Sequence, residues 1–310
     1  MRPTGSLLPT STAEADGHGR TVRDIVRKSL VFALPLVFIL LWSSSFITAR
    51  IGLVHVSPLY FVAVRQIAVA AILVAAVLAL RKSFAPLRRT WAHCSVAGAL
   101  INGVTLLTAH VGMVAVDAAP MALMGALNPI LTAVLAGPLL GEWLTRRQWL
   151  GTALGLLGVA LVVGLSALNS RTELYGLLLG AAGIVGLCGG TLYFARYCRD
   201  VPWLQGQTVQ FVAAAVACAA ATALIETPHA SWTADAIAAV AWNVLAVSIG
   251  GMGLYSFMLA HGTAGRVTAN FYLVPGTVGI MGFLILGEHL SLLALAGFAV
   301  ASVGVWLVRR

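Results

Sequence analysis

Two stretches of this chain match each other without a gap, so any fold must accommodate a repeated unit. Residues 128–162 align with residues 274–308 under a single shift of 146 positions. The aligned pairs are Pro129 with Pro275, Gly141-Glu142 with Gly287-Glu288, Leu144 with Leu290, Gly151 with Gly297 and Gly158 with Gly304. Matches of Leu mean little in an apolar chain, but Glu occurs only five times, and two of the five lie in this Gly-Glu context. The match therefore predicts a duplicated structural unit.

The composition places the repeated unit in a membrane. Of the 310 residues, 60% are hydrophobic and only 9% are charged. A soluble protein of this size would lack the polar residues that its surface requires. A membrane-spanning helix needs about 20 mainly apolar residues, so a chain with short loops has room for about ten of them. We therefore expect an all-α integral membrane protein embedded in the lipid bilayer.

The apolar runs predict ten spanning helices, five in each half of the chain. The predicted spans cover about residues 29–50, 58–80, 91–113, 118–139 and 146–166, and then 174–195, 203–225, 236–258, 266–287 and 291–308. Residues 1–28 are rich in Ser, Thr, Gly and charge, and we expect them to form a disordered tail. The two five-helix repeats are then predicted over residues 29–168 and 169–310.

Positive charge indicates the orientation of these spans. When the N-terminus is placed inside, 16 of the 19 Lys and Arg residues fall on the inner side of the membrane. Both termini are therefore expected in the cytoplasm. Because each half has an odd number of spans, the second half is inserted upside down, which is the inverted-repeat plan of many secondary transporters. The basic residues lie in short clusters between spans, so the pI of 10.0 does not indicate a nucleic-acid partner.

A set of short motifs resembles the EamA-type transporters of the drug/metabolite transporter superfamily. The motifs are LWSSSF at residues 41–46, an Arg in the second span (Arg65), and the twice-occurring Pro, Gly-Glu, Gly and Gly. The likeness covers about residues 30–308. It implies ten transmembrane helices, arranged as two inverted five-helix repeats around a central cavity. It also implies export or exchange of small metabolites, commonly amino acids or toxic compounds, across the cytoplasmic membrane.

The second half departs from the motifs of the first. Phe211 takes the position of Arg65, and LCGGTL, residues 187–192, takes the place of LWSSSF. A symmetric anion clamp is therefore not expected.

Polar residues inside predicted spans are candidate site residues, because they are expensive to bury in lipid. Arg65 lies about two turns inside its span, where it could either snorkel to the outer surface or face the cavity and hold a carboxylate. Asn102 and Asn128 are buried amides that could bind substrate or link helices. Pro129 and Pro275 are expected to break their helices at matched places, which points to a binding site near the midplane.

Aromatic residues and a second-half amide complete the expected cavity. A single aromatic residue in a span is more often packing than ligand contact, and this alternative stays open for each of them. The remaining candidates for the substrate cavity are Trp42, Tyr193, Tyr255, Asn270 and Tyr272.

The ten acidic residues all fall in the tail, in loops or at span ends. Glu142 and Glu288 each lie between a Gly and the next helix, where a carboxylate favours the positive helix N-terminus. We expect a structural role for them, with a gating or ion-binding role as the alternative. The spans offer no central carboxylate for a proton relay, and His110 and His261 remain as titratable candidates close to water. Transport down the metabolite's own gradient is therefore expected.

These observations favour a secondary carrier of a small-molecule substrate. The sequence contains no motif for ATP-driven transport or hydrolysis, and its four Cys residues form no CxxC pair. No catalytic group, metal or cofactor is predicted. A membrane-embedded enzyme or a structural subunit without transport activity is the alternative function, and a homodimer is compatible with the sequence.

Overall fold

The computed structural model describes residues 12–125, 127–141, 143–163, 171–287 and 292–309. The chain divides into two units, residues 1–37 and 38–310. The described part of the first unit is helix. The second unit contains every contact discussed below, and in its described residues all regular structure is helical, apart from an isolated bridge between Val56 and Ala230.

Eleven helices are named here in chain order. They are α1 (Thr12–Leu53), α2 (Pro58–Ala79), α3 (Trp91–Gly112), α4 (Ala118–Gly125), α5 (Asn128–Leu140), α6 (Arg146–Val163), α7 (Arg171–Tyr197), α8 (Trp203–Ile225), α9 (Ala234–His261), α10 (Arg266–Leu286) and α11 (Leu292–Arg309). In the described residues, seven helices are long and apolar enough to cross a membrane. These are the Ala33–Leu53 part of α1, together with α2, α3, α7, α8, α9 and α10.

The tail that the sequence predicts to be disordered is helical from Thr12 onward. Residues 12–28 contain no proline, and extending an existing helix by one residue costs much less than nucleating a new one. Helix α1 therefore continues upstream of its apolar part. Residues 1–11 lie outside the described part of the chain.

The fourth predicted span consists of two helices, because the helix is interrupted before Pro129. Proline has no N–H, and its ring clashes with the carbonyl of the residue four positions earlier. That residue is Gly125, where α4 ends, and Pro129 then lies in the first turn of α5. Helix α10 changes at the matched place. Its residues Ala269–Leu273 form a 3₁₀ turn, and Pro275 lies in the first turn of the α-helical segment that follows.

In the described residues three helices contain π-helical turns, the one in α10 being Gly282–Leu286, and those of α3 and α9 lie at matched positions. In α3 the wide segment is Ala99–Val104, and in α9 it is Asn243–Met252. The shift of 146 positions carries residues 99–104 onto 245–250, which lie inside the second segment. Wide turns of this kind are rare and occur often at functional sites.

Glycines end α5 and α10, and a capping box begins α6. Gly141 ends α5 in the left-handed conformation, at φ 74°, and Gly287 ends α10 in the same way, at φ 71°. Thr145 and Gln148 form a capping box, in which the Thr145 N–H donates to Gln148 Oε1 at 3.0 Å and the Gln148 N–H donates to Thr145 Oγ1 at 3.3 Å.

Helices at matched positions of the two halves pack against each other. Helix α2 packs on α8, α4 on α10, and α6 on α11. The α6–α11 contact is backbone to backbone, since a Cβ placed on Gly304 would lie 2.6 Å from the carbonyl oxygen of Gly151. The main cluster of buried apolar side chains draws on eight helices, namely α1, α2, α3, α4, α7, α8, α9 and α10.

Candidate functional site

A cavity lies inside the helix bundle, and most of its wall is apolar. Its volume available to the centres of water molecules is about 50 Å³. Trp42, Phe46, Met113, Met124 and Phe271 are among its apolar lining residues. The polar side chains of the wall are those of Ser45, Arg65, Asn102, Thr105 and His110. No Asp or Glu is among the described residues that line it.

Arg65 is buried in the wall of this cavity and points towards α9. Its side chain is 1% exposed. The Nε–H donates to Ser248 Oγ at 2.8 Å, and Nη1 donates to Asn243 Oδ1 at 2.9 Å. The snorkelling alternative is therefore wrong: both hydrogen bonds turn the guanidinium into the bundle, because α9 supplies acceptors there.

The charge of Arg65 has no carboxylate partner in the described part of the chain. The one ion pair found there joins Arg50 and Asp117, at 2.8 Å, on a more exposed part of the protein. Arg65 is thus held by neutral dipoles alone. A buried cation without a paired anion is costly, and such a site favours an anion that enters the cavity.

Asn243 fixes the guanidinium through four hydrogen bonds of its own side chain. Its Oδ1 accepts from Arg65 and from Ser45 Oγ, at 3.0 Å. Its Nδ2 donates to Thr48 Oγ1 at 2.8 Å and to the Ala239 carbonyl at 2.9 Å. The amide is therefore saturated and cannot rotate without breaking these bonds. The LWSSSF motif of α1 contributes Ser45 to this arrangement.

The wide turn of α9 brings the two partners of Arg65 together. Asn243 and Ser248 are five residues apart, which in an α-helix would place their side chains about 140° apart around the axis. Both lie in the π-helical segment, whose i to i+5 hydrogen bonds bring such residues towards the same side. The wide segment thus positions both acceptors for one guanidinium.

Gln66, the next residue on α2, reaches the wide segment of α3. Gln66 Nε2 donates to the backbone carbonyl of Asn102, within the π-helical turn of α3. The Asn102 side chain is 1% exposed, and neither its Oδ1 nor its Nδ2 has a hydrogen-bond partner among the described residues. The Asn102 amide therefore has an unpaired donor and an unpaired acceptor beside the cavity that this residue lines.

His110 presents a second unpaired acceptor. Its Nδ1 lies 2.8 Å from the Leu106 carbonyl, which can only accept, so Nδ1 carries the proton. In the neutral ring Nε2 then has a free lone pair, and it has no partner in the described residues. The sequence placed His110 close to water, but its side chain is 2% exposed and its ring packs at 5.5 Å from Phe61.

The unpaired groups on one cavity indicate a binding site. A buried polar group without a partner costs about 1–3 kcal/mol. Such a cost is recovered when a ligand or water bonds to the group, and Asn102 and His110 both carry it here. With the free donors of Arg65, the wall offers cationic and neutral donors together with neutral acceptors.

Of the eight cavity residues predicted from sequence, three line this cavity: Trp42, Arg65 and Asn102. Tyr255 lies directly behind Trp42, at 6.1 Å between ring centroids, and its hydroxyl is 2.7 Å from Thr191 Oγ1. The two prolines are not in the wall, but the residues four positions before them are. Gly125 and Phe271 both line the cavity, and a Cβ on Gly125 would lie 4.0 Å from Phe271 Cδ1.

The other four predicted residues make contacts away from the cavity wall. Asn128 Oδ1 accepts from Thr132 at 3.3 Å, and Asn270 Nδ2 donates to the Val267 carbonyl at 2.8 Å. The ring of Tyr272 packs against Gly155 of α6. The last of the four is Tyr193, whose hydroxyl lies 2.8 Å from His93 Nδ1. Glu142 and Glu288 lie outside the described residues.

Sequence reasoning missed Ser45, Gln66, Asn243 and Ser248. Asn243 and Ser248 are polar residues in an apolar span, which is a usable signal, but their spacing of five does not fit one face of an α-helix. No group of three or more metal-binding side chains occurs among the residues described.

Comparisons with known proteins agree with this architecture. A probable terminal-alkyne amino-acid exporter of Streptantibioticus cattleyicolor is 28% identical over 288 residues, covering 90% of this chain and 93% of the relative. The uncharacterized inner membrane transporter YedA of Escherichia coli is 25% identical over 265 residues, covering 84% of each. The uncharacterized transporter YvbV of Bacillus subtilis is 25% identical over 284 residues, covering 89% and 90%.

A solved structure has the same fold. It is described only as a crystal structure of a protein, and it has a TM-score of 0.71 at 20% identity, covering 89% of this chain and 96% of its own. The EamA-like transporter family matches the chain twice, over residues 29–164 and 174–310. Taken with the seven apolar helices, these matches identify a multi-pass membrane protein and a transporter of small molecules. The chain belongs to the EamA-like transporter family.

Proposed function

We propose that this protein is a secondary carrier that exports or exchanges small apolar amino acids across the cytoplasmic membrane. The observation that carries the proposal is Arg65, a buried cation on the wall of a central cavity without a carboxylate partner in the described residues. In this proposal the substrate supplies that carboxylate.

The hydrogen bonds of Arg65 favour a bound carboxylate. A guanidinium has five N–H donors, and Ser248 and Asn243 take two of them. The remaining donors can pair with both oxygens of a carboxylate. The fixed Asn243 amide holds the guanidinium in one orientation before the substrate arrives, which reduces the ordering cost of binding.

Two neutral acceptors suit the ammonium group of an amino acid. Asn102 Oδ1 and His110 Nε2 line the same cavity and lack partners among the described residues. An ammonium group has only donors, so it matches these acceptors. A fixed acidic residue is not required, because the substrate's own carboxylate on Arg65 balances the charge.

The apolar wall suits an aliphatic or aromatic substrate side chain. Methionines line a large part of it, namely Met113, Met121, Met124 and Met252. Methionine is flexible and fits differently shaped apolar groups. We therefore expect a carrier that accepts several apolar amino acids. The similarity to the probable terminal-alkyne amino-acid exporter of Streptantibioticus cattleyicolor supports the same substrate class and the outward direction.

We further propose ten transmembrane helices in two inverted repeats, over residues 29–168 and 169–310, with both termini in the cytoplasm. The pairing of α2 with α8 and of α6 with α11 supports this arrangement. So do the matched breaks at Pro129 and Pro275. The arrangement is tested with reporter fusions at the two ends of the chain. Reporters found on opposite sides of the membrane would contradict it.

The test is transport in sealed vesicles that contain only this protein. Counterflow of radiolabelled alanine, valine, leucine, methionine and phenylalanine is measured for the unmodified protein and for Arg65→Met. We expect Arg65→Met to lose about 10- to 100-fold in transport, because hydrogen bonds to a charged group contribute about 1.5–3 kcal/mol each. Arg88→Gln, in an exposed loop, is the matched control and should transport normally. Unchanged counterflow in Arg65→Met would overturn the proposal.

A further inference from the structure

A second pocket lies at the end of the bundle where α7 joins α8. The volume that the centres of water molecules can occupy in it is about 300 Å³, compared with about 50 Å³ in the central cavity. The wall combines the α7–α8 connection, the first turns of α8 and the last turns of α9. Its polar lining residues are Arg199, Asp200, Gln207, Gln210, Ser256 and His261.

Two glutamines in this pocket are buried without being satisfied. Gln207 is 3% exposed and Gln210 is 1% exposed. Gln207 Oε1 and Gln210 Nε2 have no hydrogen-bond partner among the described residues. Gln205 on the same helix differs, because its Nε2 donates to the Ser83 carbonyl at 3.2 Å. Among these three glutamines of α8, the two that line the pocket are the ones with an unpaired atom.

The surrounding backbone is packed too tightly to satisfy these amides by a small shift. A Cβ on Gly98 of α3 would lie 2.3 Å from Gln210 Cα, so the two backbones are already in contact. On the other side, Arg199 ties the rim to α9 by donating to the carbonyls of Ala260, at 3.3 Å, and Gly262, at 3.0 Å. The pocket is thus preformed, with unsatisfied groups in its wall.

The pocket and the central cavity follow the same two helices. On α7, Leu187 lines the cavity and Phe194 lines the pocket, seven residues or about 10 Å further along the axis. On α9, Met252 lines the cavity and Ser256 lines the pocket, four residues or about 6 Å further along the axis. Tyr255 and Thr191 lie between these positions in sequence, both fully buried, and their hydroxyls are 2.7 Å apart. This hydrogen bond joins α7 to α9 in the partition between the two spaces.

We propose that the second pocket is a binding site for the zwitterionic head group of an α-amino acid, separated from the central cavity by the Tyr255–Thr191 hydrogen bond. Arg199 and Asp200 provide both signs of charge, and the two amides provide donors and acceptors. The inference rests on the proposed function for the identity of the substrate. It adds a second molecule of that substrate at the end of the bundle where α7 joins α8.

The test measures how many amino acids bind per chain. Full-length protein in lipid nanodiscs is dialysed against radiolabelled alanine, valine, leucine, methionine and phenylalanine, one at a time. We expect two molecules per chain in the unmodified protein, one in Arg65→Met and one in Gln207→Leu/Gln210→Leu. Gln205→Leu, whose amide is bonded outside the pocket, is the matched control and should still bind two.

The outcomes separate the two proposals. One molecule per chain, lost in Arg65→Met and kept in the double glutamine variant, would overturn the second site and leave the proposed function in place. One molecule that shows the reverse pattern would support the second site and remove the central one. Absence of binding by all five amino acids would overturn both.

Thermal unfolding guards against a folding defect in the double variant. Replacing an unsatisfied buried amide by an apolar group of similar shape removes a cost, so the Tm of Gln207→Leu/Gln210→Leu should stay level or rise. A marked fall in Tm would mean that the glutamines support the fold, and would count against a binding role.

Discussion

Asn102 and Ser248 occupy matched positions in the two halves, 146 residues apart. Each accepts one hydrogen bond from α2, and the two donors are the consecutive residues Gln66 and Arg65. Gln66 donates to the backbone carbonyl of Asn102, and Arg65 donates to the hydroxyl of Ser248. One turn of α2 is thus bonded to the wide segments of both α3 and α9. These two hydrogen bonds link α2 to both segments beside the cavity.

Asn243→Leu should destabilise the protein, because it leaves the buried guanidinium of Arg65 with Ser248 as its single described acceptor. We expect the free energy of unfolding to fall by about 2–3 kcal/mol, the contribution of hydrogen bonds to a charged group. Thermal unfolding in nanodiscs measures the change. In the double variant Asn243→Leu/Arg65→Met the charge is gone, and the part of the loss that comes from the underbonded guanidinium should return, while the bonds of Asn243 to Ser45, Thr48 and Ala239 stay lost. Equal losses in the single and double variants would show that the amide does not act through Arg65.

Asn102→Leu should weaken transport without destabilising the fold. Neither atom of the Asn102 amide has a partner in the described residues, so the substitution breaks no protein hydrogen bond of that side chain. We expect Tm to stay level or rise while amino-acid counterflow falls about 10-fold or more, because a hydrogen bond to a charged ammonium is worth about 1.5–3 kcal/mol. Asn128→Leu, away from the cavity wall, is the control and should retain transport. A parallel fall of Tm and transport in Asn102→Leu would assign the residue to the fold.

Thiol labelling should separate the cavity wall from the residues behind it. In a background that lacks Cys94, Cys188, Cys198 and Cys218, we expect cysteine at Phe46 or Asn102 to react with a small polar thiol reagent. Cysteine at Asn128 or Asn270 should react much more slowly, because neither residue lines the cavity. Excess amino-acid substrate should protect the first pair. Fast labelling of a cysteine at Asn128 would contradict this expectation and would show that the water-accessible space reaches Pro129.

A pH difference alone should not drive uphill transport. The ionisable side chains among the described residues of the central wall are Arg65 and His110, and no carboxylate faces them there. Sealed vesicles with a pH difference and equal amino acid on both sides should therefore show no accumulation. If the substrate concentrates several-fold, and His110→Ala abolishes that effect, then His110 couples proton movement to transport.

Local signals made much of the fold predictable from sequence. Helix α2 spans Pro58–Ala79 against a predicted 58–80, and Gly141 ends α5 where the sequence places the end. These features depend on hydrophobic length, on proline and on glycine, all of which act over a few residues. The break of the fourth span near Pro129 depends on the same local chemistry.

The site was less predictable, because its contacts join distant residues. Arg65 was visible as a charge in a span, but its direction depends on Asn243 and Ser248, more than 170 positions away. The spacing of those two residues fits a π-helical turn, which no periodic pattern announces. Asn102 shares one sequence property with Asn128, Asn270 and Tyr272, since all four are polar side chains within predicted spans. Helix packing alone decides which of them lines the cavity.

The contact between Gly304 and Gly151 limits how a carrier of this shape can work. A Cβ on Gly304 would also lie 3.2 Å from Gly155 Cα, so two turns of α6 are in backbone contact with α11. Backbones this close have no flexible side chains between them that could repack as the helices slide. We therefore expect α6 and α11 to move as one rigid body during transport by the proposed carrier, with the rearrangement taking place among the remaining helices.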